Sequence, residues 1–88
     1  MKNIKVYGND NCPTCLALKK DLNSKNMEFE YLDILGSLTN LKQYLFYRDN
    51  HPGFEQYKKN QKFGIPLVIV DDDGEIDVLI EIDSASFI

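Results

Sequence analysis

The segment Lys2-Asn3-Ile4-Lys5-Val6-Tyr7-Gly8-Asn9-Asp10-Asn11-Cys12-Pro13-Thr14-Cys15 places two cysteines, two residues apart, just beyond a run of alternating apolar residues. Ile4 and Val6 alternate with Lys5 and Tyr7, which predicts a short strand over residues 2–7. Gly8-Asn9-Asp10-Asn11 reads as turn chemistry. A helix is expected from Pro13, because the N–H that proline lacks has no intrahelical partner in a first turn anyway. Cys15, Leu18 and Leu22 share one face of that helix, which is predicted to end near Ser24 to Asn26. The cysteine pair therefore falls where a strand hands over to a helix.

Working outward, Glu28-Phe29-Glu30-Tyr31-Leu32-Asp33 alternates again and predicts a second strand. Ser37 is an N-cap candidate for a helix over residues 38–48, with Leu38, Leu41 and Leu45 at helical spacing. Asp49-Asn50-His51-Pro52 reads as a turn, with His51 a loop or cap residue. A shorter helix carrying Phe54, Tyr57 and Gln61 on one face is expected to end near Gly64. The continuous apolar run Leu67-Val68-Ile69-Val70 is the mark of a strand covered on both faces. Asp71-Asp72-Asp73-Gly74 predicts a hairpin turn, and Ile76, Val78, Ile80 and Ile82 alternate in a final strand. The order is β-α-β-α-α-β-β. The first two strands should pair in parallel through a crossover, and the last two as an antiparallel hairpin, giving a mixed sheet with flanking helices.

The chain has 88 residues with 43% hydrophobic and 27% charged, which fits a single domain over residues 1–88 and excludes disorder, a collagen repeat and a coiled coil. Its net charge is −4 and Arg48 is the only arginine, so no basic stripe offers itself to phosphate and nucleic acid is not an expected partner. No run approaches the ~20 apolar residues of a membrane span, and the first residues do not read as an export signal. A cytoplasmic, reducing setting is expected, with no membrane partner. There two cysteines do not form a structural disulfide framework.

Two thiols at the start of a helix suit thiol-disulfide exchange. Unpaired N–H groups and the positive end of the helix dipole favour a thiolate. Cys12 is expected to be the exposed nucleophile. Cys15, on the apolar face with Leu18 and Leu22, is expected to be the resolving thiol. Asp10 should oppose activation of Cys12, and Lys19 and Lys20 sit too far along the helix to help much. Half of a zinc site would look the same, but His51 is the one remaining soft ligand, and no metal is assigned. The Gly64-Ile65-Pro66 step before the buried strand has two readings, a plain strand start or a cis peptide that turns the Ile65 backbone toward an extended substrate.

Cys12-Pro13-Thr14-Cys15 after a first strand, with Ile65-Pro66 before a buried strand, resembles the glutaredoxin branch of the thioredoxin fold over residues 3–33 and 63–80. The resemblance implies an α/β, thioredoxin-like fold with a four-stranded mixed sheet. It implies an enzyme, a thiol-disulfide oxidoreductase of cell redox homeostasis and electron transport. Cys12 and Cys15 would be its catalytic pair, and Pro13, Thr14, Ile65 and a cis Pro66 its substrate-binding positions. A disulfide-containing protein or a glutathione mixed disulfide would be the partner of a monomer with no bound cofactor, and glutathione the reducing co-substrate. Several positions depart from the family pattern. Asn9 stands where many glutaredoxins carry lysine, Thr14 where an aromatic is common, and Gly64 where threonine is usual. The segment between Asp33 and Pro66 is also longer. These departures keep open reduction by thioredoxin reductase. A non-enzymatic module holding a metal or iron–sulfur cluster through Cys12 is the rival reading.

Overall fold

Apolar alternation builds a sheet whose two faces are each covered by helices. The computed structural model describes residues 2–81. Its elements run β1 (Lys2–Gly8), α1 (Pro13–Ser24), β2 (Glu30–Asp33), α2 (Leu38–Asn50), a 3-10 turn (Pro52–Phe54), α3 (Glu55–Lys59), β3 (Leu67–Asp72) and β4 (Glu75–Ile80). The strands lie in the order β2-β1-β3-β4. The β1–β2 pair is parallel, with Val6 opposite Tyr31, while β1–β3 and β3–β4 are antiparallel. This is a small α/β protein with a four-stranded mixed sheet and three α-helices among the described residues.

Alternate residues of the central strands feed two separate cores. Ile4, Val6, Val68 and Val70 pack with Leu18 and Leu22 of α1 on one face. Tyr7, Leu67 and Ile69 pack with Ile34, Tyr44 and Phe54 on the other. The apolar run Leu67–Val70 is buried throughout because it serves both faces in turn. The hairpin closes over Asp73 and Gly74, whose φ values of 52° and 96° are those of a two-residue I′ turn. Ile82, expected in the final strand, lies outside the described residues.

α1 ends at Ser24, as expected, and α3 ends at Lys59, short of the Gly64 the sequence suggests. α1 stops in a Schellman motif, in which Asn26 takes φ 55° and the Met27 N–H reaches the Leu22 carbonyl at 3.0 Å. α3 stops the same way, with Gln61 at φ 57° and the Lys62 N–H bonded to the Tyr57 carbonyl at 2.7 Å. Gln61 therefore lies beyond the helix rather than on its face with Phe54 and Tyr57. In α2 the buried side chain is Tyr44, flanked by half-buried Leu41 and Tyr47. Leu38, at 77% exposure, and Leu45 face outward, so the leucine spacing marks the helix but not its buried side. His51 caps the 3-10 turn, its Nδ1 accepting the Gly53 N–H at 3.0 Å. No helix among the described residues is long and apolar enough to cross a membrane.

Candidate active site

One turn of α1 gives the two sulfurs opposite surroundings. Cys12 is the N-cap of the helix, in extended conformation, and its Sγ accepts the Cys15 backbone N–H at 3.4 Å. An N–H aimed at sulfur from a helix N-terminus is an arrangement that favours negative charge there. Cys12 is half-buried and Cys15 wholly buried, and both are free thiols. Burial, together with the contact to Cys12, pushes the Cys15 thiol up to about 12.

Gly8 makes that burial possible. It is the last residue of β1 on the face toward α1, and a Cβ there would stand 2.7 Å from Cys15 Sγ. Gly8 is thus a strand residue chosen for close approach, not part of the turn the sequence suggests.

The loop between β1 and α1 is locked by amide and carboxylate. Asn9 is buried; its Oδ1 accepts the Asn11 N–H at 2.9 Å and its Nδ2 donates to Asp33 Oδ1 at 2.8 Å. Asp33 also accepts the Leu35 N–H at 3.0 Å, so the loops after β1 and β2 are tied together. The Asn9 amide first, and the Leu35 N–H second, hold the Asp33 carboxyl below its usual range. Asp10, expected to oppose a Cys12 thiolate, pairs with Lys19 Nζ at 3.0 Å, which holds its carboxyl low. The same ammonium lies 4.2 Å from the centroid of the Tyr31 ring.

Cys12 opens into a cleft of about 490 Å³. Ile65 lines the same cleft, as do Asn9, Leu35, Phe63 and Lys62. Leu35 and Phe63 on this cleft are 67% and 64% exposed. Of the sequence-predicted site residues, Cys12 and Ile65 meet at this cleft, while Cys15 lies behind Cys12. Pro13 and Thr14 are exposed on the first turn of α1 and are not among its lining residues, and Pro66 is buried in the adjoining core. The Ile65–Pro66 peptide is cis.

The wall opposite Cys12 was not legible in advance. α2 holds it: the Tyr44 hydroxyl donates to the Phe63 carbonyl, and Arg48 Nη2 donates to the Lys62 carbonyl at 2.9 Å. Gly64 takes φ 74°, and a Cβ there would come within 2.8 Å of Phe54. Tyr44 and Arg48 carried no positional signal beyond helical spacing, whereas Gly64 ahead of a strand did mark a special backbone position.

Over 61 residues, 69% of the chain, the sequence is 30% identical to an uncharacterized protein of Haemophilus influenzae, and the match spans 71% of that protein. The chain belongs to the same family as that protein. No family model matches the chain, and no solved structure matches it significantly.

Proposed function

We propose that this member of the family is a small dithiol redoxin with a thioredoxin-like fold of the glutaredoxin type. The observation that carries the reading is the asymmetry of the cysteine pair: Cys12 at a helix N-cap facing an open cleft, and Cys15 buried one turn behind it. The Cys12 thiolate attacks a substrate disulfide, forming a mixed disulfide and releasing the first substrate thiolate. Cys15 then loses its proton and attacks Cys12 Sγ. The Cys12–Cys15 bond forms, the second substrate thiolate leaves, and two electrons pass from the protein to the substrate. A thiol reductant restores the dithiol. Ile65, half-buried and lining the same cleft as Cys12, supports docking of an extended chain there.

Reduction by thioredoxin reductase is the second reading, and Asn9 favours it. Its amide is spent on Asp33 and on the Asn11 N–H, and Lys62 is the one cationic residue among those lining the cleft, so few groups remain to grip glutathione's two carboxylates. The test is glutathione-dependent turnover of a small mixed disulfide, with Cys12→Ser as control. Turnover that vanishes in Cys12→Ser supports Cys12 as the nucleophile with glutathione as reductant. No turnover with glutathione, but turnover with thioredoxin reductase, selects the second source of electrons. Activity retained in Cys12→Ser would refute the assigned nucleophile.

A further inference from the structure

The cycle above requires Cys15 to become a thiolate in a place that disfavours charge. Its sulfur is fully buried, and the groups that face it do little to hold a negative charge. Cys12, at the start of α1, is itself occupied by the substrate when Cys15 must react. Asp10, in the preceding loop, is an anion. Tyr44, from α2, has its hydroxyl committed to the Phe63 carbonyl. β3 brings only the apolar side chains Leu67 to Val70 toward the core. Only the backbone of Asn9 offers a partial offset.

Tyr31, from β2, is different. Its hydroxyl oxygen is buried and makes no hydrogen bond of good geometry, one of two such side-chain atoms among the described residues. The other, Arg48 Nε, lies on α2, in the side chain whose Nη2 donates to the Lys62 carbonyl. A buried hydroxyl without a well-formed hydrogen bond ordinarily costs stability, so its persistence calls for a use. Gly8 shows where it points. The position a Gly8 Cβ would occupy is 2.7 Å from Cys15 Sγ and 3.5 Å from Tyr31 Oη, so sulfur and hydroxyl border the same small space beside the glycine.

We infer that the Tyr31 hydroxyl is the hydrogen-bond donor that stabilises the Cys15 thiolate as it attacks Cys12 Sγ. The inference rests on the dithiol cycle proposed above. In the resting dithiol, Cys15 is neutral and the hydroxyl leans toward Asp10; burial and then that contact push its own pKa up. Lys19 compensates the Asp10 carboxylate at 3.0 Å and also covers the Tyr31 ring, so Asp10 holds the hydroxyl weakly. When Cys15 gives its proton to solvent base, a full negative charge arises beside the hydroxyl. The O–H then turns to the sulfur and keeps its own proton throughout. The electrons that form the Cys12–Cys15 bond come from Cys15, and those of the broken mixed disulfide leave with the substrate thiolate.

The test uses one equivalent of 5,5′-dithiobis(2-nitrobenzoate) on the reduced protein in stopped flow. Attack by Cys12 releases one thionitrobenzoate, and attack by Cys15 releases the second. A hydrogen bond to a charged acceptor typically changes such an equilibrium about tenfold or more. Tyr31→Phe should therefore slow the second release about tenfold near pH 7, move its pH profile roughly one unit alkaline, and leave the first release unchanged. Lys19→Gln, which leaves the tyrosine in place but frees Asp10 to hold the hydroxyl, should slow the second release in the same direction. An unchanged second phase in either variant, or a slowing equal at every pH, would overturn the inference while leaving the dithiol cycle intact. Absence of a second release in the wild type would refute the cycle itself, and the inference with it.

Discussion

Gly8→Ala tests the packing on which the buried thiol depends. Gly8 is not among the residues with positive φ, so alanine meets no backbone obstacle there. At such a position Gly→Ala ordinarily stabilises by about 0.4–1 kcal/mol, through the unfolded chain. Here the new methyl would stand 2.7 Å from Cys15 Sγ, closer than atoms tolerate, and 3.2 Å from Cys15 Cβ, and Cys15 is fully buried. Overpacking of this kind costs about 1–3 kcal/mol, which outweighs the entropic gain and reverses the usual sign. In a domain of this size each kcal/mol lowers Tm by roughly 4–8 °C. A double-mutant cycle isolates the cause. Cys15→Ala removes the sulfur at a cost of about 1 kcal/mol, and in that background the methyl added by Gly8→Ala enters the vacated space, facing Tyr31 Oη at 3.5 Å. Gly8→Ala should then cost less than ~0.5 kcal/mol or stabilise, giving a coupling of about 1–2 kcal/mol. Urea unfolding of the four proteins under reductant supplies the numbers. Equal costs of Gly8→Ala in the wild type and in the Cys15→Ala background would show that the sulfur contact is not what the glycine serves.

Three other outcomes follow from the same geometry. Gly64→Ala should destabilise by about 2 kcal/mol or more, because positive φ and the Phe54 ring both oppose it, whereas Gly74→Ala, at φ 96° with open space around it, should cost about 1 kcal/mol; equal costs in urea unfolding would contradict the assigned contact. Asp33 is held below its ordinary 3.8 in the folded protein, so its contribution to stability is present above that value and lost as pH falls through the folded one. Asp33→Asn should therefore flatten the acid limb of Tm below about pH 4, leaving the part due to Asp10, and identical acid limbs would count against it. Iodoacetamide at pH 8 should label Cys12 and spare Cys15 in the folded, reduced protein, since Cys15 is buried and its thiol is pushed up to about 12; mass spectrometry showing equal labelling would refute this.

What could be read from the sequence was whatever local periodicity controls. The run Leu67–Val70 and the spacing of Cys15, Leu18 and Leu22 each identify a buried surface, because burial there repeats with the period of the element. The side of α2 that faces the sheet was not readable from its leucines. Tyr44 wins the core because its ring reaches Phe54, with centroids 6.1 Å apart, and its hydroxyl finds a carbonyl to satisfy it. Gln61 as the left-handed residue after α3 was hidden for another reason: glycine usually marks that position, and the motif shows only in its hydrogen bonds. The cleft was least legible of all. Leu35 of the β2–α2 connection, Phe63 of the α3–β3 connection and Glu81 just after β4 come together there, and no short-range pattern records that meeting.

The asymmetry of the two cysteines needs no special chemistry beyond helix geometry and one missing side chain. Three residues along an α-helix rotate a side chain by about 300° and advance it by about 4.5 Å, so Cys12 and Cys15 stay near each other while facing different surroundings. Cys15 falls in register with Leu18 and Leu22 and must enter the core those residues build with Ile4 and Val6. At that depth β1 would block it with any side chain, and Gly8 supplies none. Cys12, ahead of the first turn, escapes the core and receives the N–H that the buried residue's own backbone presents. The buried thiol is thereby coupled to the half-buried one through a single peptide group. A substitution that shifts Cys15 outward moves the donor to Cys12 as well, so the environments of the two sulfurs change together.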